Sequence, residues 1–263
     1  MNLYFAGYST DKEIFKTNAT HLLESYLLFR QKDYVRWHSE RKILDKILFL
    51  DSGAFSAFTQ GKVINLDEYI DYIKKNEKYI SVYAGLDVIS DWKGTRKNIE
   101  YMEACGLNPL PTFHFGSPID ELERLIDKYD YIALGGLVPY SKDIIKLKKW
   151  LDICFNVIIK KNKKRKNNIK VHGFGVSAFW AWQRYPFYSV DATSWLMGGK
   201  FRRLIKFEGG KFKAYSKRSS ERTIELMDCH DLHYVEINRN NIKEYLKGAE
   251  YVTRLWENRG IFY

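Results

Sequence analysis

At 263 residues the chain is long enough for one large domain with a buried core. A hydrophobic content of 45% excludes a disordered protein, and no apolar run approaches the roughly 20 residues that span a bilayer. The net charge of +11 favours a polyanionic partner, nucleic acid first and an anionic membrane second, although a lysine-rich genome would produce the same excess.

Cysteines, histidines and glycines give no sign of a cofactor. Cys105, Cys154 and Cys229 are scattered singly, which predicts no disulfide framework. Cys229 with His230 and His233 is the one cluster of ligand types, and because it has no fourth partner we predict no metal site. No phosphate-binding glycine loop of the GxGxxG or GxxxxGK[ST] kind is present, so no nucleotide cofactor is expected. The start of the chain has no signal-like stretch, which predicts a cytoplasmic protein, in the host cytoplasm if a phage encodes it.

Short apolar runs alternate with amphipathic patterns along most of the chain. The predicted strands are Asn2–Gly7, Lys46–Leu50, Ile80–Asp87, Leu107–Phe115, Tyr131–Leu137, Ile169–Val176 and Phe187–Trp195. The predicted helices are His21–Arg30, Leu66–Asn76 after an Asn65 cap, Lys93–Ala104, Ser117–Tyr129, Asp143–Ile159, Ala178–Tyr185 and Ile242–Glu257. This alternation predicts an α/β fold with a parallel sheet, and its repeat of roughly 25–35 residues fits a (β/α)8 TIM-type barrel better than an open sheet.

The pattern changes near residue 200. Lys206–Tyr215 contains Gly209-Gly210 between polar-apolar runs, which predicts a hairpin. We therefore expect a barrel catalytic core at 1–200 and, at 201–263, a C-terminal hairpin and helices that complete the barrel and its basic surface. The basic run Lys160–Lys166 joins a helix end to a strand, so it is expected at the far end of the barrel as a solvated loop, with a nucleic-acid patch as the alternative.

The stretch Lys46–Phe58, KILFLDSGAFSAF, combines a buried strand with a carboxylate at its end. Four apolar residues lead directly into Asp51-Ser52-Gly53, as when a parallel strand delivers an acid to the rim of a sheet. The alternative is that Asp51 only caps the following turn. Other strand ends carry similar groups: Asp87, His114, Gly135-Gly136, Gly173 with Gly175, and Asp191. Acids and glycines without cations suit a flat, polar ligand and carboxylate acid/base or nucleophilic chemistry.

Six segments occur in an order that resembles the guanine-exchanging transglycosylases of nucleic acid. They are DSGAFSAF at 51–58, AGLDV at 84–88, PTFHFG at 111–116, ALGGL at 133–137, HGFGV at 172–176 and SVDATSW at 189–195. That family comprises the tRNA-guanine transglycosylases and their shorter DNA-modifying relatives in phages and bacterial gene clusters. The resemblance covers roughly residues 45 to 200.

The resemblance implies a role for each matching position. Asp191 would be the nucleophile that attacks C1′ and expels guanine, and Asp51 the acid/base that serves the departing and incoming bases. Base binding would fall to Ser52, Gly53, Asp87, His114, Gly135, Gly136 and Leu137. Within that set Asp87 would accept hydrogen bonds from the guanine edge, since an ionised carboxylate is a natural partner for adjacent N–H groups. The interpretation of Asp87 as a helix cap stays open at this point.

Several positions depart from the family pattern. His114 stands where the tRNA enzymes use glutamine, which leaves the incoming base open. Ser194 occupies the second acidic position of the motif around Asp191; in an alternative register the nucleophile would be missing. The zinc-binding cysteine cluster of the tRNA enzymes is absent and the chain is much shorter, which favours DNA over tRNA.

The basic segment after the nucleophile strand is the best candidate for phosphate contacts. Its residues are Lys200, Arg202, Arg203 and Lys206, and Lys211, Lys213, Lys217, Arg218 and Arg222 would extend it, with a solvated hairpin face as the alternative. His172 is expected to be a packed strand histidine. The aromatic residues near it in sequence are expected to pack, although one of them could stack on a flipped base: Trp180, Trp182, Tyr185, Phe187 and Tyr188.

The sequence thus predicts exchange of guanine in DNA for a 7-deazaguanine base such as 7-cyano-7-deazaguanine, without a cofactor. The alternatives are the same chemistry on tRNA, a catalytically silent barrel that binds nucleic acid or a deazapurine, and a glycosidase that leaves an abasic site.

Overall fold

The computed structural model describes residues 1–7, 14, 16–30, 46–215 and 232–263. Within these ranges an all-parallel sheet of eight strands dominates the molecule. Its strands are β1 Asn2–Ala6, β2 His21–Ser25, β3 Ile47–Asp51, β4 Val82–Tyr83, β5 Thr112–His114, β6 Tyr131–Gly135, β7 Lys170–Gly173 and β8 Ser189–Ala192. A separate antiparallel hairpin consists of β9 Leu204–Glu208 and β10 Lys211–Tyr215.

Helices follow most of the strands. They are α1 Tyr26–Phe29, α2 Ala54–Thr59, α3 Leu66–Asn76, α4 Trp92–Ala104, α5 Ile119–Lys128, α6 Ile144–Asn162, α7 Phe179–Arg184, α8 Met197–Phe201 and α9 Tyr234–Glu257. Short 3-10 turns occupy Glu77–Tyr79, Val138–Tyr140 and Ser194–Leu196. No helix in the described ranges is both long and apolar enough to cross a membrane.

The strands lie in the order β4-β3-β2-β1-β8-β7-β6-β5, so β1 is central and pairs with both β2 and β8. At the two outer strands, an isolated parallel bridge pairs Ala84 with Leu110. The Leu110 N–H donates to the Tyr83 carbonyl at 2.8 Å, and the Gly85 N–H donates to the Leu110 carbonyl at 3.0 Å. The chain therefore has the TIM-barrel-like α/β architecture that the alternating pattern predicts.

The prediction of a helix over His21–Arg30 is wrong for its first half. Residues 21–25 form β2, and only Tyr26–Phe29 is helical, so the sheet has eight strands where seven were predicted. Leu22, Leu23 and Glu24 are buried in succession between β1 and β3. A parallel strand that is covered on both faces has consecutive buried residues of this kind. A short apolar run also fits the spacing of a helix, so only pairing with neighbouring strands determines which structure forms.

Other elements form where short sequence signals, such as a helix cap or a glycine turn, predicted them. In α3, the Asn65 side chain accepts hydrogen bonds from the Asp67 and Glu68 N–H groups, which confirms the predicted cap. In the predicted hairpin, Gly209 and Gly210 both have positive φ, which the tight turn between β9 and β10 requires. The C-terminal helix α9 begins at Tyr234, ahead of its predicted start at Ile242.

The basic run Lys160–Lys166 carries acidic partners. Lys161 binds Asp127 at 2.8 Å, and Arg165 binds Asp130. The run covers the last residues of α6 and the start of the loop to β7, at the amino ends of the strands and opposite to where barrel active sites form. These contacts favour the solvated loop over a nucleic-acid patch.

The helix α9 holds the segment that follows β8 through a buried asparagine. Asn241 is fully buried; its Nδ2 donates to the carbonyls of Trp195 and Arg203, each at 3.2 Å, and its Oδ1 accepts the Ile205 N–H at 2.9 Å. We expect Asn241→Leu to lower the free energy of unfolding by roughly 3–5 kcal/mol, because each buried polar group left unpaired costs about 1–3 kcal/mol. Urea denaturation measures this loss. The exposed Lys243→Ala change on the same helix is the control and should stay within roughly 0.5 kcal/mol of wild type.

Candidate active site at the carboxyl ends of the strands

A cavity of about 630 Å³ opens at the carboxyl ends of the parallel strands. Most of the predicted site residues line it: Asp51, Ser52, Asp87, His114, Gly135, Gly136, Leu137 and Asp191. They come from the ends of β3, β5, β6 and β8 and from the loop after β4, because parallel strands direct their carboxyl ends to the same rim. Gly53 is outside the lining but contacts Asp51 through its backbone.

Asp51 combines both roles that its sequence context suggested. Its Oδ2 accepts the Gly53 N–H at 3.1 Å, so it does cap the turn, and it also lines the cavity. Gly53 has φ +79°, and a Cβ there would lie 2.5 Å from Ser25 Oγ and 2.7 Å from Leu27 Cβ. Glycine is therefore required for the chain to turn from β3 into α2 beside the carboxylate.

The surroundings of Asp51 favour its neutral form. Burial, followed by the negative charges of Asp87 and Asp191, raises the pKa of Asp51 to about 7, against the weaker opposing effect of backbone hydrogen bonds. These carboxylates therefore interact across the cavity. A carboxyl group with a pKa near neutrality can both donate and accept a proton at physiological pH.

Asp87 is positioned by the helix that follows it. The Asn98 amide donates to the Leu86 carbonyl at 2.9 Å, and Thr95 Oγ1 accepts the Val88 N–H at 2.9 Å, so α4 fixes the backbone on both sides of Asp87. Asp91 is the residue whose side chain caps α4, through the N–H groups of the first turn. The helix-cap interpretation of Asp87 is therefore wrong, and its carboxylate points into the cavity instead.

Asp87 and His114 form a pair at the cavity wall. His114 Nε2 lies 3.1 Å from Asp87 Oδ2. Burial alone would lower the pKa of His114, but the Asp87 carboxylate outweighs it and raises that pKa. The other oxygen, Asp87 Oδ1, is buried and has no hydrogen-bond partner among the described residues. A buried acceptor without a donor costs free energy, which a ligand with N–H groups would recover.

Asp191 is held at the end of β8 with one oxygen fixed. Its Oδ1 accepts the Gly175 N–H at 2.7 Å, and Gly175 has φ +66° in the turn after β7. Asp191 lines the cavity, whereas the Ser194 hydroxyl bonds to the Tyr245 hydroxyl at 2.7 Å on α9. Of these two positions, only Asp191 presents its side chain to a ligand.

The glycine pair after β6 brings backbone against the cavity. A Cβ on Gly135 would lie 2.6 Å from Thr112 Cγ2, and one on Gly136, where φ is +70°, would lie 3.2 Å from the Phe115 nitrogen. The Phe115 N–H donates to the Gly135 carbonyl at 2.9 Å. Glycine at both positions therefore allows this segment to pack against β5 and the residue after it, and the backbone of the pair lines the cavity.

Sequence reasoning missed an aromatic and cationic part of the rim. Phe115 and Tyr140 both line the cavity, with ring centroids 4.0 Å apart and nearly parallel planes. The Lys146 ammonium lies 4.4 Å from the Tyr140 centroid. The aromatic residues on both sides of His114 in FHFG were the available signal, but Tyr140 reaches the rim only through the loop that follows β6, and Lys146 contacts its ring from outside the cavity lining.

The predicted phosphate contacts lie outside the cavity. Lys200, Arg202 and Arg203 are exposed and Lys206 is half-buried, and none of them lines the cavity. They follow the carboxyl end of β8, where Asp191 and the cavity-lining Thr193 lie. Among the proposed extensions, Lys211 is exposed and Lys213 half-buried. The remaining predicted residues fall outside the described ones: Lys217, Arg218 and Arg222 of the basic surface, and Cys229 and His230 of the weak metal cluster.

Comparison with known proteins does not assign this chain to a family. A scan against protein-family models finds no match to this chain, and a search of the curated proteins finds none either. What the site can do therefore rests on its geometry, with Asp51, Asp87, Asp191 and the helix-capping Asp91 lining one cavity beside glycine backbone.

Proposed function

We propose that this protein replaces guanine in DNA with a 7-deazaguanine base, such as 7-cyano-7-deazaguanine, through a covalent aspartyl-glycosyl intermediate. It would then be a pentosyltransferase that needs no cofactor. The observation that carries the proposal is the carboxylate triad Asp51, Asp87 and Asp191 around one cavity, with the pKa of Asp51 raised to about 7. Displacement at an anomeric carbon requires a carboxylate nucleophile and a partner acid that can change its protonation state.

The two displacements balance as follows. An oxygen of Asp191 bonds to C1′ while the C1′–N9 bond to guanine breaks, and the Asp51 carboxyl gives its proton to the departing base. The incoming deazapurine then loses its N9 proton to Asp51, its N9 bonds to C1′, and the ester bond to Asp191 breaks. Asp51 ends as it began, which a carboxyl group with a pKa near 7 allows at neutral pH.

The base would be recognised by Asp87 and by the backbone of Gly135 and Gly136. The buried Asp87 Oδ1 has no partner among the described residues and would accept hydrogen bonds from a guanine edge, while the opposite oxygen lies 3.1 Å from His114 Nε2. A nucleotide that reacts here must leave its stack, and the glycine pair lets the flat base lie against backbone.

We further propose that the sheet closes as a (β/α)8 barrel. The parallel bridge between Ala84 and Leu110 joins the outer strands β4 and β5. One interior cluster contains residues from both sides of that junction and from the central strands: Tyr4, Ala6, Leu23, Phe49, Ala84, Leu110 and Ala133. A side-chain cluster drawn from strands at both ends of the sheet is what a filled barrel interior requires.

A nucleic-acid substrate is favoured by the net charge and by the aromatic residues at the cavity. The chain carries a net charge of +11. The Lys146 ammonium and the Phe115–Tyr140 stack at the cavity combine a phosphate partner with aromatic surface for an unstacked base. The basic segment Lys200–Lys206 would contact the backbone beyond the cavity.

Labelled guanine exchange tests this function. The purified chain is incubated with labelled guanine and either duplex DNA or bulk tRNA, and repeated with unlabelled 7-cyano-7-deazaguanine and nucleoside mass spectrometry. Label or deazapurine in DNA alone supports the proposal. Incorporation into tRNA alone would make tRNA the substrate. Release of the base that leaves abasic sites would make the protein a glycosidase. Binding of nucleic acid without incorporation or base release would favour a catalytically silent barrel.

Asp87→Asn is expected to lower guanine exchange at least about 100-fold, because an amide presents a donor where the base edge also donates. The matched control is Asp71→Asn on the exposed face of α3, which should exchange at the wild-type rate. The kcat/KM for labelled guanine measures both. An Asp87→Asn enzyme within a few-fold of wild type would remove Asp87 from base recognition.

A further inference from the structure

A buried polar chain leads from the interior of the sheet to Asp191. His172 on β7 is fully buried, and its Nε2 lies 3.4 Å from Asp191 Oδ1. Its other ring nitrogen, Nδ1, lies 2.7 Å from Ser189 Oγ, and that hydroxyl lies 2.6 Å from the Tyr131 hydroxyl. The four side chains come from three adjacent strands, β6, β7 and β8. Packing alone would not require polar groups in this sequence, since an apolar residue fills the same space.

An aromatic cage keeps the His172 imidazole neutral. The ring centroids of Phe174, Phe49 and Tyr4 lie 4.6, 4.7 and 5.9 Å from that of His172. Burial lowers the pKa of His172 by more than the neighbouring Asp191 raises it. A neutral imidazole carries one N–H and one acceptor nitrogen, so the partners decide which nitrogen holds the proton.

The partners allow one consistent direction for the hydrogen bonds. An ionised Asp191 can only accept, which places the proton of His172 on Nε2. Nδ1 then accepts from the Ser189 hydroxyl, and Ser189 accepts from Tyr131. Burial raises the pKa of Tyr131, so its phenol keeps the proton that it donates. In this arrangement the Nδ1, Ser189 and Tyr131 groups are paired, and Nε2 faces Asp191 Oδ1 at 3.4 Å.

The contact between His172 and Asp191 is longer than an ordinary hydrogen bond. No partner within hydrogen-bond geometry reaches Nε2 among the described residues, and the separation of 3.4 Å exceeds the usual 2.7–3.2 Å. Hydrogen bonds of catalytic groups are often long without substrate and shorten in the complex.

We propose that His172 is a positioning residue that, together with the Gly175 N–H, holds Oδ1 of Asp191 and thereby leaves Oδ2 as the oxygen that attacks C1′. This role rests on the function proposed above. The Gly175 N–H already donates to this oxygen, and once the His172 contact shortens in the complex two donors on one oxygen fix the carboxylate plane and the orientation of the other oxygen. His172 does not line the cavity and acts through Asp191 alone.

Two substitutions separate positioning from packing. His172→Leu removes the donor, and His172→Gln retains an N–H group at the end of a side chain of similar reach. We expect the Leu variant to form the covalent DNA adduct roughly 10- to 100-fold more slowly in a single turnover, as for other groups that orient a reacting side chain. The affinity for DNA and the KM for the base should stay within about twofold, because neither ligand touches His172. The Gln variant should recover most of the rate. Equal impairment of both variants, or an unchanged Leu variant, overturns the proposal.

A measurement without substrate distinguishes this proposal from the function on which it rests. Nitrogen NMR of the wild-type protein with labelled histidine reports the protonation state and tautomer of His172. We expect a neutral ring with its proton on Nε2 at pH 7. A cationic ring, or a proton on Nδ1, overturns the positioning role even if base exchange occurs. If the expected tautomer is found and the wild type neither exchanges a base nor forms an adduct with DNA or tRNA, the proposed function fails and the positioning of an attacking oxygen fails with it.

Discussion

Asp191→Asn is expected to lower base exchange at least about 1,000-fold, because on the proposed mechanism it removes the atom that would bond to C1′. The amide oxygen can still accept the Gly175 N–H that Asp191 Oδ1 accepts at 2.7 Å, so the fold around the site should persist. The amide nitrogen that replaces Oδ2 is a poor nucleophile, since its lone pair is delocalised into the carbonyl. The loss should therefore appear in kcat, with the affinity for DNA unchanged.

Denaturing gel electrophoresis tests the proposed covalent step directly, because a protein–DNA ester would be expected to accumulate when the incoming base is withheld. Wild type should give the shifted band and Asp191→Asn should not. Asp71→Asn is the matched control, since it makes the same substitution on the exposed face of α3, away from the cavity. If the Asp191→Asn variant exchanged bases within about tenfold of the wild-type rate, another group would be the nucleophile. If neither protein exchanged bases and both bound nucleic acid equally, the catalytically silent barrel would be favoured.

Asp51→Asn should abolish exchange and at the same time stabilise the protein at alkaline pH. Burial and then the charges of Asp87 and Asp191 raise the pKa of this carboxyl group from 3.8 to about 7 in the folded state. Such a group binds its proton more tightly in the folded than in the unfolded chain. Its ionisation therefore opposes folding, and asparagine removes that opposition.

The pH dependence of this effect has a defined sign. Below about pH 4 the carboxyl is protonated in both states and has no effect on stability. As the pH rises toward 7 the unfolded chain ionises first, so wild type loses stability, and above 7 the cost is constant. At 1.36 kcal/mol per pKa unit, the full cost is about 4 kcal/mol, of which a partly hydrated cavity would leave roughly 2–4 kcal/mol.

Thermal denaturation at pH 8 and pH 5 tests the prediction. Asp51→Asn should raise Tm by roughly 5 °C or more at pH 8 and by clearly less at pH 5, given about 2–4 °C per kcal/mol for a chain of this size. The exposed Asp71→Asn is the control and should change Tm little at either pH. A gain that is equal at both pH values would show that the carboxylate cluster does not oppose folding.

Local sequence signals predicted the parts of the fold that depend on neighbours in the chain. The Asn65 cap, the Gly209-Gly210 turn and the apolar run before Asp51 each act within a few residues, so their structural meaning can be deduced without the fold. The run at His21 could not be assigned in this way. Its five residues fit a helix or a buried strand equally, and pairing with β1 and β3 settled the question.

The candidate site, like the fold, was predicted from the sequence only in part. Acids and glycines after apolar runs were sufficient to predict that Asp51, Asp87 and Asp191 face one rim, because parallel strands end on the same side. The sequence did not separate the roles of Asp87 and Asp91, which lie four residues apart in similar contexts. Contacts from α4 show that Asp91 caps the helix and that Asp87 is free to point into the cavity.

By itself the sequence determined the alternation of strands and helices, the positive charge and the chemical types gathered at the strand ends. Tertiary structure alone decided the environment of those groups. The pKa of Asp51 depends on two carboxylates that lie 36 and 140 positions away in the chain, and the partner of Asp191 is a histidine from the neighbouring strand. Burial and charge act through distance in space, which only the closely packed strands create.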